Sequence, residues 1–407
     1  MSLLDYQKSH VKALINAFEY SNTAIDSSDT GTGKTYCACA VAQMLSLQPF
    51  VICPKSVISN WVKVMKEFQV DSYGISNYES IKNLTWYNGA DGKKERCPFL
   101  TYIDETYTWD LPSNCLVILD EAHRCKNKKT QNAQMVMALK GGKNKVMLLS
   151  ATIADKPKFF GVFSYLLDFI PNVKLHNIFL KKLRAINGEK PVMYLLHKRV
   201  FPRHGSRLKI ADLGDKFPKN KIIADAYSMG EKIEKEIQEQ YEYINIVSTE
   251  AKKLGEMANI RLVQIIRARQ QIEALKLATM IELAKDHLDN DLSVVIFVNF
   301  TDSLSILAAE LNTNCTIHGE QTLVERDRAI DLFQTNRERI IICQIQSGGV
   351  GISLHDVHGG HQRVSIISPS WSAQDLVQVL GRIHRAGSKT PALQKIVYCS
   401  NTIEEEI

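Results

Sequence analysis

Short apolar runs bounded by turn residues alternate along this chain with longer stretches whose apolar positions recur every three or four residues. That rhythm predicts buried parallel strands interleaved with helices, an α/β fold class. Leu3 to Glu19 carries Leu4, Val11, Leu14, Ile15 and Phe18 at helical spacing. Thr23 to Ser27 reads as the end of a strand, and Tyr36 to Leu47, apolar with no Gly or Pro, as a helix. Phe50-Val51-Ile52-Cys53, Leu116-Val117-Ile118-Leu119 and Val146-Met147-Leu148-Leu149 are continuous β-favouring runs, the mark of strands covered on both faces. A helix with Asn60, Trp61 and Phe68 follows the first of these runs. Ser72 to Ile81 predicts a strand and turn, residues 85–114 loops with a hairpin, and Phe159 to Leu183 an apolar helix.

Lys221 to Tyr227 predicts one more strand. Residues 230–289 then lack Pro, hold one further Gly at 255, and predict a long helical section or pair. A second strand–helix series follows: Leu292 to Phe300, Ser303 to Leu311, Thr316 to Gly319, Leu323 to Gln334, Arg339 to Gln344 with a glycine turn over Ser347 to Gly351 at its end, and Val364 to Ile367. It ends in a helix over Gln374 to Arg385, which places Arg382 and Arg385, three apart, on one face. The expected domains are 1–227, a helical insertion or linker over 228–290, and 291–407.

Composition narrows the class without naming a partner. With 45% hydrophobic and 23% charged residues in 407, the chain reads as an ordinary soluble protein with room for two cores. The net charge of +6 permits a polyanionic partner and does not demand one. Nine scattered cysteines, none in a Cys-x-x-Cys pair, read as reduced thiols of an intracellular protein. Cys37 and Cys39 are too close together for a zinc pair. No signal peptide and no membrane-length apolar run is visible, leaving nucleus or cytoplasm open.

The chemistry centres on Ser28-Asp29-Thr30-Gly31-Thr32-Gly33-Lys34-Thr35. A strand, a glycine turn and a helix start aim backbone N–H groups and the positive end of a helix at one point, which suits a nucleotide triphosphate. Gly31, Thr32 and Gly33 shape the turn; Lys34 would reach the β- and γ-phosphates, and the Thr35 hydroxyl would ligate Mg²⁺. The usual pattern opens with Gly where this chain has Ser28. Gln7, near the first helix start, is a candidate reader of the adenine edge. Asp120 at the mouth of a buried strand is placed for a second Mg²⁺ contact, with Glu121 beside it to orient and deprotonate water. Lys55 and Ser56 after Pro54 are placed to touch phosphate, as is the basic run of residues 196–209. The hydroxyls of Ser150 and Thr152 could bond an acid near the phosphates and a bound polymer.

These motifs in this order resemble the superfamily 2 helicases and translocases, and more narrowly the Swi/Snf-like DNA-dependent ATPases. The residues carrying the resemblance span almost the whole chain. They are Tyr6-Gln7, Gly31 to Thr35, Cys53-Pro54-Lys55-Ser56 with Asn60-Trp61, and Asp120-Glu121-Ala122-His123-Arg124-Cys125-Lys126-Asn127. Further on come Ser150-Ala151-Thr152, Ile296-Phe297, Gly348 to Leu354, and Gln378-Val379-Leu380-Gly381-Arg382-Ile383-His384-Arg385-Ala386-Gly387. The resemblance implies two RecA-like lobes joined by a helical section, and ATP with Mg²⁺ as cofactors. It further implies that Gln7 and Gly351 contact nucleotide, and that Arg382 and Arg385 act as arginine fingers. His123, Ser150, Thr152 and Gln378 couple hydrolysis to motion by the same token, and Lys55, Ser56, His318, Ser347, Gly348 and Trp371 track nucleic acid.

The departures are Gly-Thr-Gly in the phosphate loop, Ser-Ala-Thr as the third motif, Ser353 for the usual asparagine, and Gly381 where Swi/Snf-like enzymes carry an acid. They mark a compact, divergent member of viral or phage-like character, shortened or minimal at Thr402 to Ile407. Movement on duplex DNA is the expected function. An RNA helicase is the alternative enzyme, since Ser-Ala-Thr and Gly-Arg-x-His-Arg occur widely in superfamily 2. A nucleotide-gated nucleic-acid-binding scaffold is the third reading, opposed by the intact Lys34, Asp120, Glu121, Arg382 and Arg385.

Overall fold

In the computed structural model, the described residues are 3–89, 92–187, 190–251, 258–348, 352–370 and 372–406. They form two compact units that divide between Lys216 and Phe217. The first runs α1 (Asp5–Ala17), β1 (Thr23–Asp26), α2 (Lys34–Met44), β2 (Gln48–Cys53), α3 (Ile58–Glu67), β3 (Gly74–Asn77) and α4 (Tyr78–Ile81). It continues through β4 (Thr85–Asn88), β5 (Lys94–Arg96), β6 (Leu100–Ile103), β7 (Thr106–Trp109), β8 (Cys115–Asp120), α5 (Gln131–Met137) and β9 (Lys145–Leu149). It closes with α6 (Gly161–Leu166), α7 (His176–Asn187), α8 (Val192–Val200) and β10 (Gly205–Ser206).

The main sheet of this unit has the order β10-β1-β9-β8-β2-β3-β4-β5. It is parallel from β10 to β3 and antiparallel beyond. Its central strands obey the period of two. Phe50, Ile52, Val117 and Leu119 join one core with Phe163 and Leu166, while Val51, Leu116 and Ile118 join another with Leu14, Val41 and Trp61. Each such fully buried side chain contributes about 1.5–3 kcal/mol, so a one-residue register slip in β8 would be prohibitive. Residues 85–114, expected as loops with a hairpin, hold four strands: β4 and β5 pair antiparallel at the sheet edge, and β6–β7 is a hairpin turned by Asp104 and Glu105, both at positive φ.

The second unit contains β11 (Asn220–Tyr227), α9 (Glu231–Ala251), α10 (Ala258–Leu275), α11 (Leu277–Asp289), β12 (Ser293–Val298) and α12 (Thr301–Glu310). After these come β13 (Thr316–Ile317), α13 (Leu323–Gln334), β14 (Ile340–Gln344), α14 (Ile345–Gly348), β15 (Arg363–Ile367), α15 (Ala373–Leu380) and β16 (Ala392–Cys399). Its all-parallel sheet has the order β11-β16-β15-β12-β14-β13. Among the described residues no helix is long and apolar enough to cross a membrane.

Four expectations are corrected. The strand at Lys221–Tyr227 belongs to the second unit, because all eight residues of β11 pair in register with β16. The division therefore precedes it rather than falling at Tyr227. Phe159 to Leu183 is not one helix; Pro171 and Asn172 separate α6 from α7, with short 3₁₀ turns at Pro157–Phe160 and Val173–Leu175. The helix expected to reach Arg385 ends at Leu380, since Gly381 stands as its C-cap. Ser347 and Gly348 close the helical turn α14 rather than opening a glycine loop.

Candidate functional site

Register brings the separated motifs of the first unit to one sheet edge. Asp26 at the end of β1 and Asp120 at the end of β8 both pair with Leu149 of the intervening β9. With neighbouring strands ~4.8 Å apart, the two aspartates stand about 10 Å apart at the carboxyl ends of their strands. The phosphate loop leaves from one, and Asp-Glu-Ala-His from the other.

Within the loop, Gly31 and Gly33 adopt positive φ of 82° and 92°. Gly33 is the N-cap of α2 and offers no side-chain cap, so the first-turn N–H groups stay available for an anion. Lys34 Nζ donates to the carbonyls of Ser28 at 2.8 Å and Asp29 at 3.1 Å. Gln7, buried in α1, donates from Nε2 to the Thr32 carbonyl at 2.8 Å and accepts the Leu4 N–H at 3.0 Å. The expected adenine reader thus braces the loop, with one N–H of its amide left over.

Behind the loop lies a network with one sequence signal, the Ser28 departure. The Ser28 hydroxyl accepts the Leu208 N–H at 3.0 Å and lies 3.3 Å from His10 Nε2. His10 Nδ1 is 2.8 Å from the Ser206 hydroxyl. Asp29 accepts from the Ile210 N–H at 2.9 Å and from Arg207 at 3.3 Å. A glycine at 28 would lose the hydroxyl that clips the loop to the segment after β10. Asp26 completes the network, 3.1 Å from His10 Nε2. Burial pushes its carboxyl up, but His10, Lys34 and Ser28 more than offset this and hold it below the ordinary carboxylate range.

At the mouth of β8, Trp61 Nε1 donates to Asp120 Oδ2 at 2.9 Å, and the Tyr78 hydroxyl donates to the Asp120 carbonyl at 2.8 Å. Burial and the adjacent Glu121 carboxylate push the Asp120 carboxyl up to about 6, against the Trp61 hydrogen bond and the Lys34 charge. Glu121 itself sits at φ 54°, a left-handed backbone that non-glycine residues adopt at a cost of about 1–3 kcal/mol. His123 Nδ1 lies 3.2 Å from Glu121 Oε2 and 3.1 Å from the Ser150 hydroxyl, so it bridges the acid and the third motif. Thr152 lies in the bend after β9.

The residues fit a magnesium ion poorly bound by protein alone and well bound with phosphate. Among the described residues no group of three or more His, Cys, Asp or Glu forms a metal cage. Asp120 and the Thr35 hydroxyl are hard oxygen donors, the kind that hold Mg²⁺ alongside water and phosphate oxygens. The like-charge pressure on Asp120 is what a divalent cation would relieve.

In the second unit Arg382 Nη1 and Arg385 Nη2 both donate to the Ile352 carbonyl, at 3.2 and 2.8 Å. They converge through the turn after α15 rather than from a helix face. Gln378 is buried in α15, and His318 follows β13, its carbonyl accepting from Arg326. Lys55 and Ser56 open the 3₁₀ turn after β2. Gly351 and Trp371 lie outside the described residues. All nine cysteines are buried free thiols.

Each unit is thus a sheet flanked by helices, wholly parallel in the second and parallel from β10 to β3 in the first, the first carrying the glycine loop before α2 and the second the paired arginines. Residues 1–155 match the family described as "Type III restriction enzyme, res subunit", and residues 275–387 match the "Helicase conserved C-terminal domain". The mimivirus protein named "Putative ATP-dependent RNA helicase L364" (Acanthamoeba polyphaga mimivirus) is 37% identical over 99% of this chain and 80% of its own length. The human "SWI/SNF-related matrix-associated actin-dependent regulator of chromatin subfamily A member 1" is 23% identical over the whole chain, which spans only 42% of that protein. Among solved structures, S. cerevisiae Dbp5 bound to RNA and ADP BeF3 superposes with a TM-score of 0.51 at 14% identity, covering 96% of this chain and 83% of that one. The chain belongs to the superfamily 2 helicases. It is a nucleic-acid-dependent ATPase with two RecA-like lobes.

Proposed function

We propose that this chain is an ATP-driven translocase on duplex DNA. The observation that carries the reading is the Trp61–Asp120 hydrogen bond. It joins the two most Swi/Snf-like signatures, Pro-Lys-Ser with Asn-Trp and Asp-Glu-Ala-His with Arg-x-Lys-Asn, in one contact. The SWI/SNF-related relative, which aligns over the whole of this chain, supports the reading.

In this reading the α2 amides, Gly31, Thr32, Gly33 and Lys34 hold the triphosphate, and Gln7 and Gly351 contact the nucleotide. Thr35 and Asp120 would hold Mg²⁺, which when bound would supply charge neutralisation to the phosphates. Glu121 accepts a proton from the attacking water, its carboxylate oriented by His123. Ser150, with Thr152 and Gln378, relays the change at Glu121 through His123 into motion of the units. Arg382 and Arg385 neutralise charge on the γ-phosphoryl group. Lys55, Ser56, His318, Ser347, Gly348 and Trp371 touch the nucleic-acid backbone, loosely enough to let it slide.

An RNA helicase is the second reading, favoured by the name of the mimivirus relative. The discriminating experiment is steady-state ATP hydrolysis by the purified protein, alone and with duplex DNA, single-stranded DNA or RNA. Stimulation by duplex DNA, followed by triplex displacement, supports the translocase. Stimulation by RNA alone replaces it with the helicase, and ATP binding without hydrolysis in any condition replaces both with a nucleotide-gated scaffold.

A further inference from the structure

The first unit holds a second cleft, lined by groups with no role in the mechanism above. It lies among the chain after Asp-Glu-Ala-His, the 3₁₀ turn at Pro157–Phe160 and the start of α7, and encloses about 230 Å³. Five lysines line it: Lys126, Lys128, Lys129, Lys158 and Lys174. Lys126 is neutralised by Asp155 at 2.8 Å. Among the described residues no carboxylate lies within ion-pair distance of the other four. The Phe159 ring carries the Lys158 and Lys126 ammonium groups 4.9 and 5.5 Å from its centroid, which keeps both heads close to the cleft.

The floor of the cleft supplies an independent observation. His176, which lines it, is 4% exposed. Its Nε2 lies 2.8 Å from the Pro157 carbonyl. A carbonyl only accepts, so Nε2 carries the hydrogen in the neutral ring. Nδ1 is buried with no hydrogen-bond partner. The ring is also held in place: a β-carbon on Gly161 would come within 3.3 Å of it. Burial, and the Lys128 charge after it, hold the imidazole below its ordinary range despite the Pro157 contact.

We propose that this cleft is an anion site for phosphate groups, with the four unneutralised lysines supplying charge and the adjacent His176 ring taking up a proton as the anion enters. Lysine ammonium groups bind phosphate as compact point charges, and four in one cleft repel one another until an anion enters. The volume decides the size of the ligand. It falls below the roughly 300 Å³ at which pockets for drug-sized ligands begin, so phosphate groups fit better than a whole nucleotide. They come either from a nucleic-acid backbone or from a free polyphosphate. The first source rests on the nucleic-acid reading above; the second does not.

The test uses the full chain carrying Lys34→Ala, so that the phosphate loop does not report, and inorganic tripolyphosphate as the probe. Calorimetry and an NMR titration of His176 are run against a Lys128→Ala/Lys158→Ala/Lys174→Ala version of the same protein. Expected are a loss of tripolyphosphate affinity of tenfold or more in the triple variant, and an upward move of the His176 pKa on binding in the parent. His176→Gln, which keeps a donor for Pro157 but lacks Nδ1, should weaken binding several-fold. Circular dichroism melts check that each variant folds. In a parallel arm, duplex DNA binding is followed against salt. A fall in the salt slope of about one per lost phosphate contact identifies the backbone as the source, and an unchanged slope with lost tripolyphosphate binding identifies the free anion. Equal tripolyphosphate affinity in parent and triple variant, with an unchanged duplex salt slope, overturns the proposal.

Discussion

The side-chain amide of Gln7 occupies the space that a β-carbon on Gly33 would take: the two would lie 2.3 Å apart. Gly33 also stands at φ 92°, so two separate constraints exclude a side chain there. Gly33→Ala should therefore weaken ATP binding strongly, by roughly tenfold or more. Adding Gln7→Ala relieves the collision but not the backbone strain, so the double variant should regain part of the binding and no more. Isothermal titration with a non-hydrolysable ATP analogue over the four-protein cycle reads this directly. Full additivity would mean that the two residues do not meet.

The indole of Trp61 steadies a carboxylate that burial and Glu121 both oppose. Trp61→Phe keeps the ring in its core and removes only the donor. A hydrogen bond to a charged group contributes about 1.5–3 kcal/mol, so kcat/KM for ATP should fall roughly 10- to 100-fold, and the melting temperature should drop by several degrees as well. Activity measured over a magnesium titration would show the change; an unaltered profile would remove Trp61 from the site.

Arg382 and Arg385 converge on one carbonyl. If they act on the γ-phosphoryl group, Arg385→Ala should leave ATP binding largely intact and reduce turnover by ~10³, the scale of a lost arginine finger. Binding by fluorescent ATP analogue and turnover by phosphate release separate the two effects. Normal turnover in this variant is the result that rules the residue out.

Asp26 links stability to acid pH. Its carboxyl is held below the ordinary range in the folded protein, so the charged form is favoured by folding. That contribution is complete above the unfolded value of about 3.9 and disappears as pH falls through the folded value. Asp26→Asn should be less stable than the parent at neutral pH, and the difference should shrink as pH drops below about 4. Urea unfolding at several pH values checks it; a constant difference would mean that the charge is irrelevant.

Lys276 and Glu404 form a buried pair at 2.7 Å, and Glu404 also accepts from the Tyr241 hydroxyl and the Cys399 N–H, each at 2.7 Å. Removing one partner strands the other charge, which costs about 3–5 kcal/mol. Lys276→Met should thus destabilise the second unit strongly, and Glu404→Gln less, since the amide still accepts. Thermal melts that rank the variants the other way would contradict this account.

Local pattern determined a good deal of this protein. The continuous runs at β2, β8, β9, β12, β14 and β15 had to be strands buried on both faces, and Gly31 to Gly33 had to be a tight glycine turn before a helix. These signals are carried by neighbours in the chain, and propensity and periodicity act at that range. The strand β16 and the domain limit were not legible, because β11 joins its sheet through partners more than 160 residues away. Nor were the clip of Ser28 to Leu208, the indole on Asp120, or the meeting of His123 with Ser150. Each depends on strand order and register, and only long-range packing selects those. The helix before Arg382 showed the limit from the other side: its apolar spacing continued, but Gly381 ended it and a turn brought the two arginines together.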